Sequence, residues 1–409
     1  MKREFQIIVW GASGFTGRLV AEYLTQRYGA DAKIRWAIAG RNQTKLEALR
    51  SELVKFDPSA AGLPLIIAES DDVSSLRAMA ARTEVVCTTV GPYSIYGAKL
   101  VEACVEERAD YVDLTGETPF IKKMIDAHHD SAQSRGVRIV HCCGFDSIPS
   151  DMGVYFLQKS AIERFGHPLS EVAFYLEKSK GGLSGGTVAS MMHIVDEARQ
   201  PATRKLLLDP YALNPDDGHR GPDRGDQRGT RWDEDAGAWT APFIMAGINT
   251  RIVRRSNAVM GYPYGQDFSY REVMSMRPGL TGWAKATTVG VGIGAFLGMS
   301  VTRITRAGLL ATVLPKPGQG PSRQAREAGH FRVRLVGKGR GQRMEAIVRG
   351  KRDPGYGATA RMLAESALCL TLDRDMLPDL CGILTTASAM GDALLARLPN
   401  ADINLTISA

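Results

Sequence analysis

The chain has 409 residues, 44% hydrophobic and 23% charged, with a net charge of +7. That length allows two or three domains with a sizeable buried core, and that balance excludes a disordered or fibrous protein. Six cysteines show no CxxC spacing and seven histidines form no HxxxH-type pair. Buried thiols in a reducing, cytoplasmic setting are therefore expected, and no metal.

The opening, MKREFQIIVW, runs straight into a glycine loop, so it reads as a first strand rather than a signal peptide. Strand and helix patterns then alternate. FQIIVW (5–10), IRWAIAG (34–40), LPLIIAES (63–70), EVVCTTVG (84–91), DYVDLTG (110–116) and VRIVHCCG (137–144) read as strands. Helical patterns lie between them, over 16–28, 42–54, 74–81, 98–107 and 119–135. Continuous apolar strands joined by helices predict an α/β, Rossmann-type doubly wound parallel sheet over residues 1–150.

The first turn is Gly11-Ala12-Ser13-Gly14-Phe15-Thr16-Gly17, a GxxGxxG between strand and helix. Gly11 allows the tight turn, Gly14 lets backbone approach a pyrophosphate, and Gly17 lets the helix pack closely. The helix N-terminus then stabilises the anion. Ser13, Phe15 and Thr16 belong to the same cradle. The second strand ends at Gly40-Arg41 where an NAD enzyme usually carries an acid, and Lys45 follows one turn later. Two cations there would pair with a 2′-phosphate, which predicts NADP (NADPH) as cofactor; the alternative is that Arg41 simply begins a solvated helix.

Ligands of open parallel sheets bind beyond the carboxyl ends of the strands. The fourth strand leads into Val90-Gly91-Pro92-Tyr93, with Tyr96 close behind. Val90, Gly91 and Pro92 are candidate cofactor contacts, and the tyrosine hydroxyls of Tyr93 and Tyr96 candidate proton donors. The sixth strand exits through GFDSIPSD, making Asp146 and Ser147 further catalytic candidates and Ser150 or Asp151 the expected cap of a helix over 152–159. That helix also carries Tyr155-xxx-Lys159, the pair that a short-chain carbonyl reductase would use.

After Leu169 the pattern changes. Residues 209–237 are rich in Asp, Gly, Arg and Pro without apolar period, and read as a long surface loop, either a lid or a disordered insertion. Residues 286–302 contain no charge. They read as a buried core helix first, then as one wall of an acyl-chain tunnel, then as a peripheral membrane-dipping segment; four glycines weaken a spanning helix. From Lys316 to Arg352 eleven Lys or Arg face two acids, a net +9. FRVRLVGKGRGQRMEAIVRG (331–350) within it reads as a hairpin, either a basic solvated face or a docking surface for something anionic. No nucleic-acid motif or interleaved aromatics accompany the basic residues, so nucleic acid is not an expected partner. Helical patterns over 358–370 and 387–398 follow.

GASGFTG, AGRN, TTVGPY, DLTGE and GFDSIPSD, in this order and spacing, resemble the saccharopine dehydrogenase-like oxidoreductases. The resemblance is closest to the mycobacterial trans-acting enoyl reductase branch, and it continues through SGGTVAS (184–190), NTRIVRRSNA (249–258), KPGQGPSR (316–323) and AMGDALLARLP (389–399). It implies an NADPH-binding domain over 1–150, a mixed α/β (α+β) substrate or dimerisation domain with an antiparallel sheet over 151–354, and C-terminal helices over 355–409 that pack back on the first domain. It also implies reduction of an enoyl acyl chain, lipid- or polyketide-like, presented by an acyl-carrier domain or as a CoA thioester. A homodimer is compatible with such a fold. The rival outside enzymes is a lipid-associated scaffold that keeps the cofactor domain without turnover.

Overall fold

A computed structural model describes residues 3–30, 34–181, 185–301, 305 and 320–408, which form two compact units. The first holds β1 (Phe5–Trp10), β2 (Trp36–Gly40), β3 (Leu65–Ile67), β4 (Thr83–Thr88), β5 (Asp110–Val112) and β6 (Arg138–Val140). They pair in the order β6-β5-β4-β1-β2-β3, every pair parallel. β2, β5 and β6 are wholly buried, as strands covered on both faces should be. The strand order reverses between β1 and β4, which defines the crevice where such sheets bind their ligand.

The second unit contains β7 (Glu171–Lys180), β8 (Arg231–Asp233), β9 (Ala238–Pro242), β10 (Ser269–Ser275), β11 (His330–Gly339) and β12 (Gln342–Lys351). Its sheet is mixed rather than purely antiparallel: β7 runs parallel to β10 and antiparallel to β11. The predicted hairpin is present as β11 and β12, turning at Arg340-Gly341, both at positive φ (48° and 76°). Phe331, Val333 and Leu335 are buried along it, while Arg332 and Arg334 are only half-buried. Helices Ile148–Phe165 and Ala246–Val259 pack on this sheet, the former brought close by Gly153, where a Cβ would sit 2.7 Å from Leu335.

The C-terminal region departs from the expected run of helices. Helices Thr359–Leu372 and Thr386–Arg397 are present, but Gly382–Leu384 forms β13 and extends the first sheet beside β6, in parallel. Ile403–Ser408 forms β14, which pairs with β12 in the second sheet, so residues 402–409 group with the second unit.

Three further expectations change. The helix after β6 starts earlier, at Ile148, with Ser147 at its N-cap and no side-chain cap. Ser150 and Asp151 therefore lie inside the first turn, and Asp151 accepts a hydrogen bond from Ser256. The loop 209–237 is tied to a neighbouring helix by ion pairs and hydrogen bonds. Arg254 pairs with Asp223 at 2.6 Å and donates to Pro210 O, Arg251 pairs with Asp226 and donates to Leu207 O, and Arg255 donates to Leu213 O. All three arginines are buried on helix Ala246–Val259; loop acids are the counter-charges of Arg251 and Arg254, and a loop carbonyl receives Arg255. Finally, Gly279–Val301 is a single helix but not a core one: Leu280, Trp283, Val291, Leu297 and Met299 are exposed on it. Thr302, the last residue of the predicted apolar segment, lies outside the described residues, as do Ser184 of SGGTVAS and 316–319 of KPGQGPSR.

The basic hairpin is largely neutralised. Glu177 pairs with Arg332 at 2.7 Å and Arg334 at 2.8 Å, Asp235 with Lys338 and Arg343, and Asp402 with Arg352 at 3.3 Å. No described helix is long and apolar enough to cross a membrane.

Candidate active site

The glycine loop sits at the reversal of strand order. Gly11 has φ +83°, and a Cβ there would meet the Val90 side chain at 2.6 Å and Thr89 Oγ1 at 3.0 Å. Thr89 N–H donates to Trp10 O at 3.0 Å, so the exits of β1 and β4 are joined side by side. A Cβ on Gly17 would lie 2.2 Å from Gly11 O, which makes glycine obligatory for this approach of helix to loop. Ser13 and Gly14 are exposed, and helix Phe15–Tyr28 begins with Gly14 at its N-cap and no side-chain cap. An uncapped N-terminus behind exposed glycine backbone fits a dinucleotide pyrophosphate.

The end of β2 lies next to this loop: a Cβ on Gly40 would be 3.6 Å from Ser13 Oγ. Arg41 follows, exposed, with no hydrogen bond or ion pair of its side chain among the described residues. Asn42 takes the capping role for helix Gln43–Leu53 by accepting from Lys45 N–H at 2.9 Å. Arg41 is thus spared that duty, and Arg41 and Lys45 present two exposed cations at this strand end. Phe15 and Thr16 are half-buried, and the Phe15 ring packs edge-on against Tyr356, 4.7 Å between centroids.

The loop after β4 is held by a buried acid that no sequence pattern singles out. Glu117 accepts from the N–H groups of Tyr93 (3.0 Å) and Ser94 (2.9 Å), at the start of the short helix Tyr93–Tyr96. The Gly91–Pro92 peptide is cis. Tyr93 is buried; its hydroxyl donates to Thr88 O at 3.3 Å and accepts from Leu114 N–H at 3.1 Å. Burial and the nearby Asp113 push that hydroxyl well above the usual tyrosine range. Tyr96 is 39% exposed on the same short helix.

Asp113 organises the next strand ends. Buried completely, it accepts from Tyr111 Oη (2.9 Å), Thr115 N–H (3.0 Å) and Cys142 N–H (3.1 Å), and pairs with His141 Nδ1 at 2.7 Å. Thr359 Oγ1 accepts from Phe145 N–H at 3.0 Å, fixing the exit of β6 to the start of the C-terminal helix.

Asp146 and Ser147 open the second unit. Ser147 is buried, and its hydroxyl donates to Asn249 Oδ1 at 3.1 Å. Asn249 Nδ2 donates to Glu272 Oε2 (2.9 Å), and Tyr270 Oη to Glu272 Oε1 (2.7 Å). Burial drives the Glu272 carboxyl up to about 7, against the hydrogen bonds that favour its ionised form. Tyr155 and Lys159 lie one turn apart on helix Ile148–Phe165, both half-buried. Among the described residues no cluster of His, Cys, Asp and Glu could hold a metal.

The structure thus brings together Gly11, Ser13, Gly14, Phe15, Thr16, Gly17, Arg41, Lys45 and the Val90–Pro92 loop in one unit. Asp146 and Ser147 belong to the other. Glu117, Asp113 and Tyr356 are the residues that sequence patterns missed. Glu117 and Asp113 stand inside the DLTGE string, but only the fold reveals which backbone groups they hold.

A parallel sheet with strand order 3-2-1-4-5-6 and a glycine cradle at its reversal is the architecture of a dinucleotide-binding domain. The saccharopine dehydrogenase NADP binding domain family matches residues 7–140. A Mycobacterium tuberculosis H37Rv protein, provisionally named as a trans-acting enoyl reductase, is 47% identical over 98% of this chain and 97% of its own. The trans-acting enoyl reductase of Mycobacterium bovis (strain BCG / Pasteur 1173P2) is 43% identical, again over 98% and 97%. The chain therefore belongs to the saccharopine dehydrogenase-like oxidoreductases, among the relatives named trans-acting enoyl reductases. Its fold is also that of the L-Glu-forming saccharopine dehydrogenase of Saccharomyces cerevisiae, with a TM-score of 0.50 at 13% identity, covering 99% of this chain and 100% of that one.

Proposed function

We propose that the protein reduces the carbon–carbon double bond of an enoyl thioester, lipid- or polyketide-like, delivered in trans by an acyl-carrier domain or as a CoA ester. The observation that carries this reading is likeness at 41–47% identity, over nearly the whole chain, to proteins named for that activity. NADPH, when bound, supplies the hydride. The chain's own tasks are then separable. The Gly11–Gly17 cradle and helix N-terminus hold the pyrophosphate, and Arg41 with Lys45 the 2′-phosphate. Glu117 fixes the Val90–Pro92 loop, and a hydroxyl delivers the proton to the α-carbon. Tyr96 is the first residue to test for that last task, because the Tyr93 hydroxyl is buried and engaged on both sides.

The test is a fluorescence titration with NADPH and NADH, followed by NADPH consumption on enoyl thioesters and on ketones. Arg41→Ala is expected to weaken NADPH binding roughly 10- to 100-fold, the worth of a charge-assisted hydrogen bond, and to leave NADH unchanged. Turnover on ketones alone, abolished by Tyr155→Phe, would replace enoyl reduction by carbonyl reduction.

A further inference from the structure

Helix Gly279–Val301 is out of keeping with a protein surface. Leu280 is 84% and Val291 65% exposed, and Trp283, Leu297 and Met299 are exposed beside them. Its other side, with Ala286 and Ser300 buried and Val289, Ile293 and Phe296 half-buried, faces the protein, and Gly290 lies against Pro242 of β9. Lys285 is the one charged residue on the helix, and Arg277 precedes it. The sequence around it is equally one-sided: residues 273–322 hold five Lys or Arg and no Asp or Glu, a net +5 within a whole-chain charge of +7.

We infer that the outward face of this helix, from Leu280 to Met299, is a docking surface for an anionic lipid bilayer, on which the helix lies in the plane of the interface. Apolar side chains enter the boundary between headgroups and acyl chains, Trp283 sits at headgroup level, and the exposed Arg277 and Lys285 meet lipid phosphates. Charge selects this occupant. A second copy would bring like charge against like charge, whereas an anionic bilayer complements both the apolar face and the basic sequence around it. The inference is independent of the enoyl reading, since it concerns where the protein sits and not what it reduces.

The test is flotation of the full-length protein with phosphatidylcholine vesicles and with phosphatidylcholine–phosphatidylglycerol vesicles. Binding is expected on the mixed vesicles only, falling with salt, and accompanied by a blue shift of tryptophan emission that Trp283→Phe removes. The triple variant Leu280→Glu, Val291→Glu, Leu297→Glu alters only exposed positions. It should keep the parent's melting temperature and NADPH affinity while vesicle binding drops at least tenfold. Equal flotation with both vesicle types, or undiminished binding by the triple variant, would overturn the inference. So would self-association in sedimentation velocity that the triple variant abolishes without any vesicle binding by the parent, which would assign the face to a second copy.

Discussion

Individual residues here divide between those that hold the site and those left free to act in it. Tyr93 and Tyr96 look equivalent in sequence, yet one hydroxyl is locked between Thr88 O and Leu114 N–H and the other is exposed. Tyr93→Phe should therefore lower stability by about 1–2 kcal/mol, from the unpaired Leu114 N–H and the lost bond. Tyr96→Phe should leave the melting temperature unchanged and, if it is the donor, reduce kcat by roughly 10²–10⁴-fold. Thermal melts and single-turnover rates on the two variants separate these roles. Glu272 gives a pH prediction. Its folded pKa, near 7, lies above the ordinary 4.5, so the native state binds more protons in that window. Stability due to this group is full below about pH 4.5, is lost as pH rises towards 7, and the loss levels off above that, at a total on the order of 3 kcal/mol. Glu272→Gln should flatten this dependence, measured as urea midpoints at pH 5 and pH 8 relative to the parent. The tight Gly11–Gly17 turn was legible because it is local backbone geometry that a motif records. Glu117 was not, because its partners Tyr93 and Ser94 are some twenty residues away in sequence and nothing periodic links them.

At the level of elements, the parallel strands were readable from uninterrupted apolar runs, and the hairpin β11–β12 from its alternation. β13 was not: three residues, Gly382–Leu384, carry no period and sit between two helical patterns. The loop 209–237 shows a deeper limit. Its composition is that of a solvated linker, but its Asp223 and Asp226 pair with buried arginines on helix Ala246–Val259. A helix bearing Arg251, Arg254 and Arg255 all buried requires acids or carbonyls from elsewhere, and that pairing is a property of the fold alone. Arg254→Ala leaves Asp223 without its guanidinium partner and should cost about 3–5 kcal/mol. It should also loosen the backbone around the already exposed Arg220, Arg224 and Arg228, so that trypsin cuts there under conditions where the parent loop survives, which limited proteolysis with mass mapping would read. Helix Gly279–Val301 was hard to place for the opposite reason. Uncharged sequence signals avoidance of charge but not which neighbour supplies the apolar surroundings.

The molecule as a whole is two units that share one chain unevenly. The first is built from residues 1–145 together with 355–401, so a fragment ending at the expected boundary near 150 omits β13 and the helix that covers β1 and β4. Residues 1–145 alone should be insoluble or unfolded. The same residues joined to 355–401 by a short Gly/Ser linker should fold and bind NADPH, since Phe145 N–H already bonds to Thr359 Oγ1. Circular dichroism and an NADPH titration on both fragments decide this. Sequence indicated two domains and their order. The resemblance implied that C-terminal helices return to the first domain, but not that Gly382–Leu384 adds a strand to its sheet or that 402–409 cross back to the second unit, because such pairing joins segments up to more than 200 residues apart.

The place of β13 also sets a timetable. A ribosome releases the N-terminus first, and the open edge of β6 then waits for a partner strand almost 250 residues downstream. At roughly 5–20 residues per second that wait is on the order of 10–50 s, far longer than hydrophobic collapse. Throughout it the cofactor-binding half is a partial sheet whose β6 edge is also open, with an uncovered apolar face, the kind of surface that templates aggregation. Productive synthesis of this protein thus depends on that nascent half being shielded until β13 has emerged.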